Sequence, residues 1–553
     1  MTDSTAVPAQ TAPAQITPAQ AGIPARCIKA YLETLEAHRL STHSVLIERG
    51  GAVCFEHYWA PFTADTPHRM YSATKSLTSM AVGLLLQDGK IRLDDPIGLY
   101  FPDEIRLSSN EALHRQTIRE MLTMTTARVP HLHWMQAKPA DRVRFYFEDS
   151  ADGSIEESID CGTCEPGTNF RYDSNGTFIL GALVERITGM KMIEFLRSRI
   201  FDRIGVSPKA RILTCPGGHS WTDSGLLCTT RDLAKIGRFL ANGGVFEGEQ
   251  LLDPDYIRAA TAKQTDTNTI GAEDWNLYGY GYQIWRTYRD SWLFWGMGSQ
   301  FMLCVPDKDL IFVSTGDNQG NPIDMRVLIK NFFDIIVDHM DEEDPTGPRV
   351  GRTDEENAGE APQKSSEAGD LEALQSYAST LKLAAARGEK SSPIEAQISG
   401  RTWQLAPNPM GITRIRLDFT EDGGTLFYTN AQGDKELPFG RCENRFCDFP
   451  EENYDDEIGT VPVPGHKYRC AASAAWTMPH KLFISVQIID NYLGRLNINL
   501  GFKEDRLAAD AAGTDGNVAG AGTINRIGVH MNKSAEAFLE NYQGYASGTL
   551  ISD

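Results

Sequence analysis

No stretch of this 553-residue chain is apolar for long enough to span a bilayer. Basic residues are scarce: 53 Lys and Arg face 74 Asp and Glu, a formal net charge of -21. A polyanion repels DNA, RNA and anionic lipid, so neither nucleic acid nor membrane is an expected partner. Met1 to Gly22 lack the basic start and apolar core of a secretion signal. They are rich in Ala, Pro, Gln and Thr, and Pro-Ala-Gln occurs three times, so residues 1–24 read as a disordered tail and the chain as cytoplasmic. No Gly-Xaa-Ser-Xaa-Gly elbow occurs, which disfavours an α/β-hydrolase. No His-Glu-Xaa-Xaa-His zinc motif occurs either.

The ten cysteines do not form a framework. Several sit inside apolar runs, such as Cys304 in Phe301-Met302-Leu303-Cys304-Val305, as buried thiols of a reducing compartment do. Cys161 and Cys164 alone have metal or redox spacing. Zinc needs two further ligands, and a redox pair opens a helix after a strand. Neither context is visible, so no metal or cofactor is expected, and pairing of Cys161 with Cys164 stays open. His131 and His133 form a His-Xaa-His pair without partners and read as a surface loop. His219, in Gly217-Gly218-His219-Ser220, takes no role.

What is present is Ser72-Ala73-Thr74-Lys75, heading a long apolar stretch. A serine hydroxyl is a poor nucleophile until a base takes its proton, and a neutral lysine can be that base. Leu77, Met80, Ala81, Leu84 and Leu85 recur at helical spacing, so the following helix is buried, with Gly89 as its stop. Ser72 then lies at the positive end of the helix dipole, and Lys75 one turn on shares its face. Spacing alone is weak support. A second copy, Ser379-Thr380-Leu381-Lys382, falls on an expected linker helix with no hairpin before it and reads as solvent-exposed.

Upstream, Ile28–His38 reads as an amphipathic helix, and residues 44–55 as two strands joined at Gly50-Gly51. Strands are expected at 292–295, 301–305 and 310–314, and a helix over 327–340. Strands at both ends with helices between predict an α+β domain on an antiparallel sheet, residues 25–340. Residues 341–370 hold ten acids and three bases, so 341–395 reads as an acidic linker with a helix over 371–387. Short strands separated by turns then predict a second, antiparallel β domain over 396–553, with a loose Gly/Ala-rich loop at 508–522.

The segments Tyr71-Ser72-Ala73-Thr74-Lys75, Gly89-Lys90-Ile91-Arg92-Leu93-Asp94 and Thr117-Ile118-Arg119-Glu120-Met121-Leu122 come first. Pro166-Gly167-Thr168-Asn169-Phe170-Arg171-Tyr172, Ser224-Gly225-Leu226 and Gly296-Met297-Gly298-Ser299-Gln300 follow in order. Together they resemble the serine β-lactamase and penicillin-binding-protein superfamily. The likeness is to its branch of esterases, D-aminopeptidases, class C β-lactamases and amide-oligomer hydrolases, over residues 25 to 340. It implies a β-lactamase/transpeptidase-like antiparallel sheet flanked by helices. The later β domain is similar to the barrel-like, lipocalin-like domains appended to some members.

By position, the resemblance implies that Ser72 is the nucleophile and Lys75 its base. Tyr172 would be the tyrosine of a Tyr-Xaa-Asn motif that relays the proton. Ser174 stands where the family has asparagine, with Asn175 next, both as substrate-binding residues. The backbone N–H groups of Ser72 and Gln300 would form the oxyanion hole. Met297, Gly298 and Ser299 fall where familiar members place Lys or His, a small residue and Gly on a strand lining the site. The missing cation argues against a penicillin-like carboxylate and for an ester or neutral amide. The expectation is a serine hydrolase with an acyl-enzyme, acting on a small ester or peptide-like amide, D-residue amides included, with a homo-oligomer left open. The rivals are a β-lactamase or D,D-peptidase proper, and a non-catalytic ligand-binding protein on a retired hydrolase fold.

Overall fold

The computed structural model describes residues 14–127, 141–149, 164–215, 217–267, 278–319, 321, 326–341, 367–452, 464–504, 524–535 and 542–551. His131, His133, Cys161, residues 1–13 of the expected tail, most of the acidic linker and the 508–522 loop lie outside them. The chain forms two compact units divided between Lys382 and Leu383. Among the described residues no helix is long and apolar enough to cross a membrane.

The first unit is built on a six-stranded antiparallel sheet. Its strands are β1 (Thr42–Arg49), β2 (Ala52–Tyr58), β3 (Trp285–Arg286), β4 (Trp292–Gly296), β5 (Gln300–Val305) and β6 (Leu310–Gly316), in the order β2-β1-β6-β5-β4-β3. The β1–β2 turn needs two residues with positive φ, and Gly50 (φ 59°) and Gly51 (φ 81°) supply them. Val45, Leu46 and Ile47 are all fully buried, because the sheet is covered on both faces. On one face helix α1 (Ala25–Ala37) packs through Tyr31, whose ring meets Phe312 and Phe332 edge-on and whose hydroxyl donates to the Leu328 carbonyl.

The helix that follows Ser72, α2 (Thr74–Gln87), is buried from Thr74 to Leu85. It carries four hydroxyls inside the protein, each with a partner. Thr74 donates to the Tyr71 carbonyl, Ser76 to that of Gln283 and Thr78 to that of Thr222, and Ser79 pairs with the Tyr256 hydroxyl. Such pairing is what allows polar side chains in a core helix. Gly89 (φ 64°) ends the helix in the left-handed region. Further along come α3 (Arg142–Phe147), α4 (Ser174–Thr188) and α5 (Thr230–Ala241). α5 covers the other face of the sheet, where Thr230 pairs with Ser44 and Gly237 leaves no room for a Cβ beside Met302.

Three expectations need correction. Residues 14–24 are folded: Ile16 N–H donates to Val53 O, Val53 N–H to Ala14 O, and Ala21 and Ile23 are buried. The stretch 327–340 is not one helix but a π-turn (Arg326–Lys330), a short α-helix (Asn331–Ile335) and a 3-10 turn (Val337–His339), bent at Ile336 (φ -105°, ψ -62°). The linker helix, α6, spans Glu367–Ser379 and ends on the first residue of the second Ser-Xaa-Xaa-Lys, whose Ser379 and Lys382 are exposed.

The second unit is a closed nine-stranded antiparallel barrel with one attached strand. Its strands are β7 (Thr402–Leu405), β8 (Arg414–Phe419), β9 (Gly423–Asn430), β10 (Gly433–Arg441), β11 (Arg445–Asp448), β12 (Arg469–Met478), β13 (Lys481–Ile489), β14 (Leu493–Glu504), β15 (Ile524–Ala535) and β16 (Gly544–Leu550). Neighbours in sequence pair antiparallel except β10 and β11, and β7 pairs antiparallel with β16. The ring closes at a parallel seam of two residue pairs, Gly440 with Ser473 and Arg441 with Ala474. The seam is parallel because β11 intervenes, pairing only with β12. Leu383 to Ile398 belong to this unit: Glu395 accepts both Arg441 guanidinium nitrogens and the Trp476 indole N–H.

Candidate active site

Ser72 sits in a 3-10 turn, Tyr71–Ala73, immediately before α2. Tyr71 enters that turn with φ 45°, a conformation disfavoured for a residue bearing a Cβ. Burial holds it there, with the Arg69 guanidinium 4.3 Å from its ring centre. The turn rests on the end of β4. A Cβ on Gly296 would collide with the Met70 carbonyl oxygen and lie 3.2 Å from the Ala73 nitrogen. Glycine there is a requirement of close approach.

Lys75 is 1 % exposed. Its Nζ donates to Ser72 Oγ at 2.9 Å and to the Asp223 carbonyl at 2.8 Å. It also lies 4.9 Å from the centre of the Tyr172 ring. That ring stacks on Trp285 at 5.8 Å and 15°. Ser72, Lys75 and Tyr172 are therefore brought together, with the amine over the face of the phenol and bonded to the serine.

Asp223 enters through its backbone. Three successive carbonyls in this segment accept side-chain donors: Thr222 from Thr78, Asp223 from Lys75, and Ser224 from Arg69. The segment is pinned between α2 and α4, where Gly181 leaves no room for a Cβ against Thr222. The Asp223 carboxylate pairs with Arg142 at 3.1 Å, both side chains 4 % exposed or less. Arg142 further donates to Asn175 Oδ1 at 3.3 Å and lies 3.9 Å from the Phe178 ring centre. Neither Arg142 nor Asp223 stood out in the sequence. The available signal was the place of Asp223 directly before Ser224-Gly225-Leu226.

Asp173 was also missed. It caps α4, accepting the Gly176 N–H at 2.9 Å and the Thr126 hydroxyl at 2.9 Å. Burial pushes its carboxyl above the usual range, against the pull of those bonds and of Lys75. An Asp before Ser-Asn-Gly is a cap signature, and it fixes where the chain enters α4 directly after Tyr172. Ser174 begins α4 and is half-buried, while Asn175 is engaged by Arg142.

Met297, Gly298 and Ser299 do not lie on a strand. They form the turn between β4 and β5, with Gly298 (φ 77°) and Ser299 (φ 78°) both left-handed. Asn318 holds this turn by donating from its backbone to Gly298 O and from its side chain to Ser299 Oγ, each at 3.1 Å. Gln300 opens β5 fully buried, its amide exchanging hydrogen bonds with the backbone of Gly316. His219 is bound to Glu185 at 2.8 Å, toward the C-terminal end of α4 and away from Tyr172.

The family model described as beta-lactamase matches residues 25–322. The chain belongs to the beta-lactamase family. It is 28% identical over 243 residues to a 6-aminohexanoate-dimer hydrolase of Paenarthrobacter ureafaciens, covering 40% of this chain and 57% of that protein. It is 21% identical over 188 residues to penicillin-binding protein 4* of Bacillus subtilis, covering 32% of this chain and 40% of that one. The chain thus spans little more than half of the first relative's length. An octameric penicillin-binding-protein homologue from Pyrococcus abyssi superposes with a TM-score of 0.44 at 14% identity, over 85% of this chain and 99% of that one.

Proposed function

We propose that this member of the beta-lactamase family is a serine hydrolase working through an acyl-enzyme on a small ester or peptide-like amide. The observation that carries the reading is the buried Lys75 amine 2.9 Å from Ser72 Oγ. A nucleophile and a base within hydrogen-bond reach, the base oriented by a third group, is the arrangement acyl transfer needs. Here the third group is the Asp223 carbonyl.

Ser72 Oγ attacks the substrate carbonyl and its proton passes to Lys75. The proton then reaches the leaving alcohol or amine by way of the Tyr172 hydroxyl, as the C–O or C–N bond breaks. A cation over the ring face steadies the phenolate in that relay. Water next attacks the acyl ester, its proton is taken by the same groups, and Ser72 Oγ leaves and is reprotonated. The backbone N–H groups of Ser72 and Gln300 hold the oxyanion in both halves. Ser174 and Asn175 border the substrate beside Tyr172, and Met297, Gly298 and Ser299 beside Gln300.

Met297 weighs against a β-lactamase or D,D-peptidase. A thioether offers a substrate carboxylate no charge-assisted bond, whereas it packs well against a neutral or apolar group. The name of the Paenarthrobacter relative adds amides of amino acids to the substrates worth screening.

Intact-mass spectrometry after fluorophosphonate treatment tests the reading. One adduct on the wild type and none on Ser72→Ala is the expected result, followed by turnover of p-nitrophenyl esters, D-residue amides or 6-aminohexanoate dimer. A folded wild type that takes no adduct would overturn it in favour of a binding protein.

A further inference from the structure

Cys447 on β11 and Cys470 on β12 face each other directly in the antiparallel register. Their sulfurs are 3.5 Å apart across 23 positions of chain. A disulfide needs sulfurs about 2 Å apart and Cα atoms within about 4.4–6.8 Å, a spacing that opposed residues on antiparallel strands already have. Closing the remaining gap takes side-chain rotation and no movement of the strands.

The two thiols are unequal. Cys470 is fully buried, whereas Cys447 is half-buried on the outermost strand, beside exposed Arg445, Phe446 and Asp448. A hydrogen bond from Cys470 holds the Cys447 thiol below the ordinary range against the effect of burial, with Arg445 helping. The same bond and burial push Cys470 up. This is the asymmetry of a reacting thiol and a resolving thiol.

We propose that Cys447 and Cys470 are a thiol pair that closes reversibly to a disulfide, with a peroxide as the oxidant. The Cys447 thiolate attacks one peroxide oxygen, breaking the O–O bond and giving a sulfenic acid and hydroxide. The Cys470 sulfur then attacks the Cys447 sulfur and expels the sulfenic oxygen as water once its own proton is passed on. Two thiols are oxidised to one disulfide and one peroxide is reduced to two waters. The product fastens β11, whose only strand pairing among the described residues is to β12, to the barrel wall. The inference is independent of Ser72 and survives if the hydrolase reading fails.

The test treats the folded full chain with hydrogen peroxide, alkylates the remaining thiols and maps peptides without reduction. The expected result is a peptide linking Cys447 to Cys470, absent after dithiothreitol. The oxidised chain should also show a rise on the order of 5 °C in the barrel's unfolding midpoint. In Cys470→Ser the intermediate should persist as a dimedone adduct on Cys447, while Cys447→Ser should leave Cys470 unoxidised. Both sulfurs remaining alkylatable after free glutathione has been fully oxidised would overturn the proposal. So would a link from either to Cys442, or dimedone labelling of Cys470 in place of Cys447.

Discussion

Replacing Arg142 by methionine should damage both stability and labelling of the serine, although Arg142 touches neither Ser72 nor Lys75 in the contacts described above. The change keeps most of the side-chain length and removes the guanidinium. It strands the Asp223 carboxylate, 1 % exposed, without its partner at 3.1 Å. Breaking one half of a buried ion pair typically costs about 3–5 kcal/mol, because the remaining charge has left water for nothing. The carboxylate will turn toward solvent and carry its own carbonyl with it, and that carbonyl holds Lys75 Nζ at 2.8 Å. A general base displaced from its nucleophile costs about 100-fold or more in rate. Adding Asp223→Asn removes the stranded charge, so the double variant should recover about 2 kcal/mol relative to Arg142→Met alone. Urea unfolding followed by tryptophan fluorescence gives the first quantity, and the rate of fluorophosphonate labelling gives the second. Trp221, 5.7 Å from the guanidinium, reports locally on the change. If Arg142→Met stays within about 0.5 kcal/mol of wild type, as surface changes do, the buried-pair account is wrong. If the double variant is no better than the single one, the stranded charge is not the cause.

Gly296→Ala should slow acylation at least tenfold with the far-ultraviolet spectrum unchanged, since its new methyl must push the Met70–Ala73 turn; unaltered labelling kinetics would count against that packing. Tyr172→Phe keeps the stack on Trp285 and the ring beneath Lys75, so stability should hold while kcat falls about 100-fold or more; a stability loss without a rate loss would make Tyr172 a core residue only. Burial pushes the His68 imidazole down to about 4, whereas unfolded histidine titrates near 6.5. Between those values the unfolded chain binds a proton that the folded chain refuses, so stability falls as pH falls. The effect is absent above the upper value, complete below the lower one, and about 2 kcal/mol by pH 5. His68→Gln should flatten that part of the stability–pH curve relative to wild type, and an unchanged slope would assign it to other groups.

Local chemistry was legible in the sequence wherever neighbours in the chain are neighbours in space. The Gly50-Gly51 hairpin, the buried helix after Ser72 and its stop at Gly89 each depend on a few consecutive residues. The short strands after Gly400 announced a β domain, though not that their first and last members would pair. The Arg142–Asp223 pair joins residues 81 positions apart and leaves no local trace. The break at Ile336 was hidden because Val327, Phe332, Phe333 and Val337 follow an apolar pattern that an unbroken helix also satisfies. Residues 14–24 misled by composition: a Pro- and Gln-rich segment reads as solvated, yet Ala21 and Ile23 found cover in the first unit.

The parallel seam of the barrel also bears on how the second unit avoids sticking to copies of itself. Opening there would bare two strand edges, and a bared edge is a template for another chain. On β12 that edge is already guarded on both sides. β11 occupies Arg469 to Ala472, and Glu389 exchanges both backbone hydrogen bonds with Trp476. Only Ser473 to Ala475 remain for a stranger to pair with, too few to seed a growing sheet. The shortest joint in the ring is thus also the one from which aggregation has least to gain.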